Sequence, residues 1–246
     1  MGSDLYLAAS GAAARLRDLD VVANNLANAD TTGFKRDSAV FEASLAAALR
    51  DPQGHPLPGP DATAFVDASL VATDFSRGPV STTGAPLDVA IQGPGFFEVD
   101  TPDGPRYTRA GSFAVNAARQ LSTPDGNPVL GEGGPIGLGS RSVEIRATGE
   151  VVDDQGSVVG RLQVVDFDPV DGLEKVGNSL YRAPDGVFPA PRPDAVLLPR
   201  SLERSNVVPV KELTTLLLLQ RAYDMNMQVI ATDDQMTQQL LQEVQQ

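Results

Sequence analysis

Apolar residues recur at steps of four and three near the start of the chain, at Leu5, Ala9, Ala12, Leu16, Leu19, Ala23 and Leu26. The same period returns near its end, through Val210, Leu213, Leu217, Gln220, Tyr223 or Asp224, Met227, Ile230, Asp234, Thr237, Leu241 and Val244. A spacing near 3.5 residues lets helices wrap round other helices, so a seam-bearing helix is predicted at each terminus. Between them the pattern is that of strands: short apolar runs broken by Asp-Gly pairs at Asp103-Gly104, Asp125-Gly126, Asp171-Gly172 and Asp185-Gly186. Asp-Gly favours tight turns, because Gly accepts positive φ and Asp bonds the local backbone.

The first helix is predicted over residues 3–28, with Ser3 as its N-cap and an Ala-rich body of good helix propensity. Asn28-Ala29-Asp30-Thr31-Thr32-Gly33 stops it, since these side chains compete for the backbone, and Phe34 follows as an apolar anchor. A short second helix is expected over Ser38–Leu49. The Pro-rich run at 51–60, which holds the lone histidine His55, reads as an exposed extended linker. The β pattern runs from about Asp61 to Arg200, with candidate strands Leu87–Ile91, Phe96–Val99, Val143–Arg146, Glu150–Val152 and Gly160–Phe167. Their irregular spacing favours a small, partly open β-domain over a full sandwich. Helix resumes after Val207-Val208, with Pro209 tolerated in its first turn, and runs to about Val244, roughly 50 Å at ~1.5 Å per residue. The polar seam residues Gln220, Asp234 and Thr237 are either points where a coil frays or positions that set register.

The predicted fold class is therefore α+β, with N- and C-terminal helices forming a coiled-coil-like bundle and an irregular all-β central domain. It divides into an N-terminal assembly helix and signature (1–36), an extended linker region (37–85), the central β-domain (86–200) and a C-terminal assembly helix (201–246). A plain core helix of a bundle is the simpler reading of the N-terminal helix. The matched periods at both ends favour a subunit built to be packed into an assembly.

Charge sharpens that picture. The net charge is −13, with residues 1–36 neutral, 207–246 at −3 and the middle at −10. A near-neutral end can pack against copies of itself while an acidic middle stays soluble, and nucleic-acid binding is disfavoured. With no cysteine there are no disulfides or thiolate metal sites. No basic-then-apolar leader is expected at the N-terminus, and no run of ~18 apolar residues predicts a membrane span.

Candidate chemistry is thin. Gly131–Gly139 is glycine-rich but lacks the Lys-Ser/Thr of a phosphate loop and reads as a turn. Asp166, Asp168 and Asp171-Gly172 resemble a calcium loop with its spacing off by one and Gly177 where the bidentate Glu belongs. Asp153-Asp154 and Asp233-Asp234 are adjacent carboxylates, which point apart on a helix or strand. No catalytic residue, cofactor or metal ligand is expected.

Several stretches carry a resemblance. Asn24-Asn25-Leu26-Ala27-Asn28-Ala29-Asp30-Thr31-Thr32-Gly33-Phe34-Lys35-Arg36 resembles the signature of flagellar rod, hook and hook-associated axial proteins. Leu87 through Phe97, Tyr107 through Phe113, Leu121 through Gly131, Leu173 through Tyr181, Ser205-Asn206-Val207 and Gln220-Arg221-Ala222-Tyr223 are similar to later family stretches, in the same order. The resemblance implies a structural rod subunit, proximal rod as the first reading and distal rod as the second. It implies passage unfolded through the flagellar type III export apparatus without a cleaved signal. The terminal helices would pair and then join other rod subunits in a helical tube crossing the periplasm, which carries torque and conducts later subunits. Such an interface is heterologous and does not close. Its expected residues are Leu5, Ala12, Leu16, Leu19, Ala23, Asn24, Asn25, Leu26, Asn28, Gly33 and Phe34 at one end. At the other end they are Leu213, Leu217, Gln220, Arg221, Tyr223, Met227, Ile230 and Leu241. Arg119 departs from the pattern, since the family often has Gly there and a positive φ is disfavoured for other residues. Two other classes remain open on the residues alone: a peptidoglycan-acting β-protein, which would need two facing carboxylates, and a soluble export chaperone or binding module.

Overall fold

The computed structural model describes residues 2–40, 70–139 and 142–244, with side chains described for 9–38, 71–139, 142–170 and 172–232. The chain forms two compact units. One holds the described residues up to Ala27 with 37–40, 70–73 and 208–244; the other holds 28–36 and 74–207.

The first unit contains helix α1, Gly2–Ala27, and helix α2, Pro209–Val244, whose 36 residues span roughly 54 Å. The helices lie against each other and run antiparallel. A methyl group added at Gly11 would sit 3.5 Å from Asn226, while Asn25 faces Glu212. The strands Asp37–Val40 and Leu70–Thr73 pair antiparallel beside them. Here the expected second helix is corrected, since Ser38–Val40 is strand. The Asn25 amide holds Asp37 at both backbone groups, accepting from its N–H at 2.9 Å and donating to its C=O at 2.7 Å. Thr73 Oγ1 donates to the Asp37 carboxylate at 2.8 Å. These tertiary bonds outweigh local helix propensity. The rest of that expected helix, and the Pro-rich run with His55, lie outside the described residues.

The second unit is strand-rich. Its largest sheet has six antiparallel strands in the order 174–177, 180–182, 104–108, 96–101, 164–166 and 190–191. Successive strand residues face opposite ways, and here both faces are covered. Phe97 and Val164 enter a core with Val89, Leu121, Ile145 and Leu197, while Phe96 and Val165 enter a second with Tyr107, Phe167 and Tyr181. A three-stranded sheet (143–145, 150–153, 158–161) and several two-stranded ladders complete the unit, with no closed barrel among the described residues. Two ladders bring the end of the domain back to its start: Val196–Pro199 pairs with Val89–Gln92, and Ser201–Glu203 with Val80–Thr82.

The glycines of three Asp-Gly pairs, Gly104, Gly126 and Gly186, adopt positive φ as expected, whereas Asp171-Gly172 lies in a short 3-10 turn. The glycine-rich run is a tight hairpin between Leu130–Gly131 and Gly134–Pro135. The expected strand Gly160–Phe167 is two strands in different sheets, because the chain changes partners between them: Leu162 N–H bonds Gly149 and Gln163 N–H bonds Leu130. Arg119 sits at φ 59°, in a turn closed by its N–H on the Asn116 carbonyl at 3.0 Å.

Candidate assembly surface and signature clamp

The signature segment that follows α1 is fixed within the second unit by the last strand and the segment after it. Gly33 N–H donates to the Glu203 carbonyl at 2.8 Å. Gly33 has φ 67°, and a Cβ there would lie 2.3 Å from the Ala110 nitrogen, so no larger residue fits. Phe34 is buried, with the Lys175 ammonium 4.1 Å from its ring centre; the same ammonium donates to the Lys35 carbonyl. Lys35 and Glu203 side chains are each 1% exposed and meet at 2.6 Å. Lys35 Nζ also donates to the Ser76 carbonyl at 2.7 Å, and Glu203 Oε1 accepts from Gly78 N–H at 3.1 Å. The other carboxylate oxygen stands 3.5 Å from Arg109, whose guanidinium donates to the Gly93 carbonyl and lies over the Phe96 ring.

Two cations around one carboxylate in a dry site are held at a cost. Burial pulls the Lys35 ammonium below its ordinary range, an effect that Glu203 only partly offsets. Burial likewise lowers Arg109, with Glu203 acting against it. Asn206 closes the arrangement. Its Oδ1 accepts from Arg36 N–H at 2.7 Å, and its amide donates to the Asp74 and Ser76 carbonyls. This cluster is structural in character: the hydrogen bonds that Lys35, Arg109, Glu203 and Asn206 make here run to other parts of the same unit.

The expected interface residues fall into separate environments. Ala12, Asn25, Gly33 and Phe34 are buried; Leu19, Leu26, Asn28, Tyr223 and Ile230 are half-buried. Leu16, Ala23, Asn24, Leu213, Leu217, Gln220, Arg221 and Met227 are exposed. Leu5 and Leu241 lie in the helices, with side chains outside the described set. On α2 the covered stripe is Glu212, Thr215, Leu216, Leu219, Ala222, Tyr223, Asn226 and Ile230, and it includes the two residues seen facing α1. The exposed stripe is different. It runs through Val210, Leu213, Leu217, Leu218, Met225 and Val229, with Leu217 57% exposed. So α2 is apolar on two sides, and α1 covers only one.

Sequence reasoning passed over Asp18, Val22, Glu203 and Glu212, all buried. Lone charged residues in a helix or strand give no signal of burial. Lys35, Arg109 and Asn206 were visible only as members of recognisable stretches.

Comparison with known proteins agrees with this arrangement segment by segment. Residues 5–35 match the model for flagella basal body rod proteins. Residues 90–160 match the flagellar hook protein FlgE/F/G D1 domain, and residues 199–243 match the flagellar basal body rod FlgEFG protein C-terminal region. Among curated relatives, the flagellar basal-body rod protein FlgF of Caulobacter vibrioides is 38% identical over 91% of this chain and 90% of its own length. FlgG of the same organism is 36% identical over 95% and 96%. FlgG of Bacillus subtilis is 33% identical over 96% and 97%. The chain belongs to the flagellar basal-body rod protein family. Its role is that of a structural rod subunit of the flagellar basal body, and none of these relatives is named as an enzyme.

Proposed function

We propose that this subunit assembles through its terminal helices, which pair with each other along one face and form a coiled-coil-like bundle with neighbouring rod subunits along another. The observation that carries this reading is the second apolar stripe of α2, with Leu213, Leu217, Leu218, Met225 and Val229 exposed on the isolated chain. Exposed apolar side chains gathered on the side of a helix that its partner leaves open mark an interaction site. Repeated heterologous contacts along such a stripe generate a helical tube rather than a closed ring. The tube transmits torque across the periplasm and conducts later subunits, and the chain reaches it through the flagellar type III export apparatus. Catalysis has no part in the role.

Within the family we place the chain with proximal-rod FlgF, supported by the 38% identity to the Caulobacter FlgF. The distal-rod FlgG reading is favoured by coverage, 95% of the chain against 91%. Quantitative mass spectrometry of purified hook–basal bodies decides between them: low copy beside a more abundant paralogue fits the proximal rod, high copy the distal rod. The assembly reading itself is tested by Leu217→Asp and Leu16→Asp. Burying a leucine contributes ~1.5–3 kcal/mol, and an unpaired carboxylate in the same contact costs several more. Both variants should keep the wild-type unfolding midpoint of the strand-rich unit yet vanish from basal bodies. Wild-type motility in either strain would refute the proposal.

A further inference from the structure

Each helix of the α1–α2 pair keeps a second stripe in the open. On α1 it is Ala9, Ala13, Leu16, Asp20, Ala23 and Ala27, all exposed, at alternating steps of four and three. On α2 it is Thr214, Leu218, Arg221, Met225, Gln228 and Thr232, also all exposed and at the same alternating steps. The α1 stripe is mostly alanine and therefore low. The α2 stripe stands high, with Leu218 60% and Met225 62% exposed. Thr214 and Thr232 turn their hydroxyls back to the Val210 and Gln228 carbonyls at 2.9 and 2.8 Å, so neither needs a donor or acceptor from a neighbour.

The charges on these stripes are unspent. Asp20 and Arg221 lie on them, with Arg17 and Asp224 beside them, and none of the four side chains has a hydrogen bond or ion pair among the described residues. Laid antiparallel with Asp20 opposite Arg221, the two stripes coincide layer for layer, because their steps are the same. Leu16 then meets Met225, Ala23 meets Leu218, and Arg17 meets Asp224. One turn away in one direction, Asp20 faces Leu217 and Leu16 faces Arg221, which strands both charges on leucine. One turn away in the other, Asp20 faces Asp224, like charge on like. With the helices parallel, Asp20 on Arg221 sets Arg17 against Leu218. Both ion pairs form together in one direction and one register alone.

We propose that the open stripe of α2 receives the open stripe of α1 from a second copy of this chain, antiparallel and with Asp20 on Arg221. The inference rests on the assembly reading above and names an occupant and a register for part of the open face of α2. A second copy is selected because the matching period and the matching charges are both carried by this chain. They cannot meet within it, since α1 already lies along the other side of α2, with Asn25 facing Glu212 and Gly11 facing Asn226. Two different surfaces joined in this way make a heterologous contact that passes from copy to copy. The ion pairs choose partner and register and add little affinity, as exposed pairs do. Leu16 on Met225 and Ala23 on Leu218 are the apolar layers, too few for a free-standing dimer. Copies should therefore stay apart in dilute solution and meet inside the rod.

The chain has no cysteine, so introduced thiols report a single contact. Two full-length chains with different tags are co-expressed, one carrying Ala23→Cys and the other Leu218→Cys, and basal bodies are isolated and oxidised. A second pair, Ala23→Cys with Thr214→Cys, probes the register one turn away. A mixed-tag disulfide from the first pair, absent from dilute monomers and from the second pair, is the expected result. Both chains incorporated with no mixed-tag species overturns the proposal, as do equal yields from the two pairs. A separate arm uses charge reversal, each variant being the sole copy in the cell. Asp20→Arg brings like charges together across every contact, so about a tenfold deficit in copies per basal body is expected. Adding Arg221→Asp to the same chain restores opposite charges in every contact and should return the wild-type copy number; a double variant no better than the single overturns the register. Absence of the unmodified chain from basal bodies overturns the assembly reading and this contact with it, whereas failure of the cross-link in assembled rods removes the contact alone.

Discussion

Glu203→Gln tests whether the buried charges set the stability of the strand-rich unit. Glu203 neutralises two cations, Lys35 at 2.6 Å and Arg109 at 3.5 Å, and all three side chains are almost fully inaccessible. Glutamine keeps one acceptor for Lys35 and Gly78 but loses the charge and turns an NH₂ toward the Arg109 guanidinium. Removing one partner of a buried ion pair costs ~3–5 kcal/mol, mostly because the remaining charge stays desolvated. Against a total stability of ~5–15 kcal/mol that is a large share. For a domain of this size, each kcal/mol moves the midpoint by ~2–4 °C, so a drop of roughly 10 °C is expected. Tyrosine fluorescence is a suitable probe, because there is no tryptophan and Tyr107 and Tyr181 lie in the second core. Adding Lys35→Met to Glu203→Gln should recover part of the loss by removing one of the two stranded cations. A shift below ~1 kcal/mol for the single variant, or a double variant worse than the single, would refute the reasoning.

Two further outcomes follow from single positions. Arg119→Gly should stabilise the unit by about 0.5–1 kcal/mol, since it relieves ~1–2 kcal/mol of left-handed strain at φ 59° and gives part back as unfolded-state entropy; a lower urea midpoint would count against strain there. Burial raises the Glu98 carboxyl above its ordinary range. The folded state therefore holds that proton more tightly, and the stability it adds at low pH is lost as pH rises through the folded value. Glu98→Gln should then raise the midpoint at about pH 7 and leave it nearly unchanged at about pH 3.5, so equal gains at both would exclude the effect.

The two helices were legible because period and punctuation agree: Asn28–Gly33 marks one stop and Pro209 one start, within a residue or so of the observed ends. Period does not give phase, however. The stripe of α1 that is buried includes Asp18, Val22 and Asn25 beside Ala12. A reading of apolar residues alone settles one position round, on Leu16 and Ala23. Polar residues with internal partners, such as Asn25 on Asp37, are the reason. In the middle, runs with clear β composition were found, but Gly104–Thr108, Glu174–Gly177 and Ser201–Glu203 were not. These carry Gly, Pro or charged residues and owe their strand state to partners far along the chain. The charged clamp was invisible for the same reason, since nothing local distinguishes Glu203 from a solvated glutamate.

The Lys35–Glu203 bond joins residues 168 positions apart, and that separation sets a timetable. A chain delivered from its N-terminus presents Lys35 and then Arg109 long before the carboxylate that neutralises them both. Until the segment 203–206 arrives, Lys35 lacks its carboxylate partner and Gly33 and Arg36 lack backbone or amide acceptors. The domain therefore cannot close early around its first residues. On the proposed export route, a subunit that passes as a thread before it stands as a building block would gain from a fold whose keystone is nearly its last piece to be delivered.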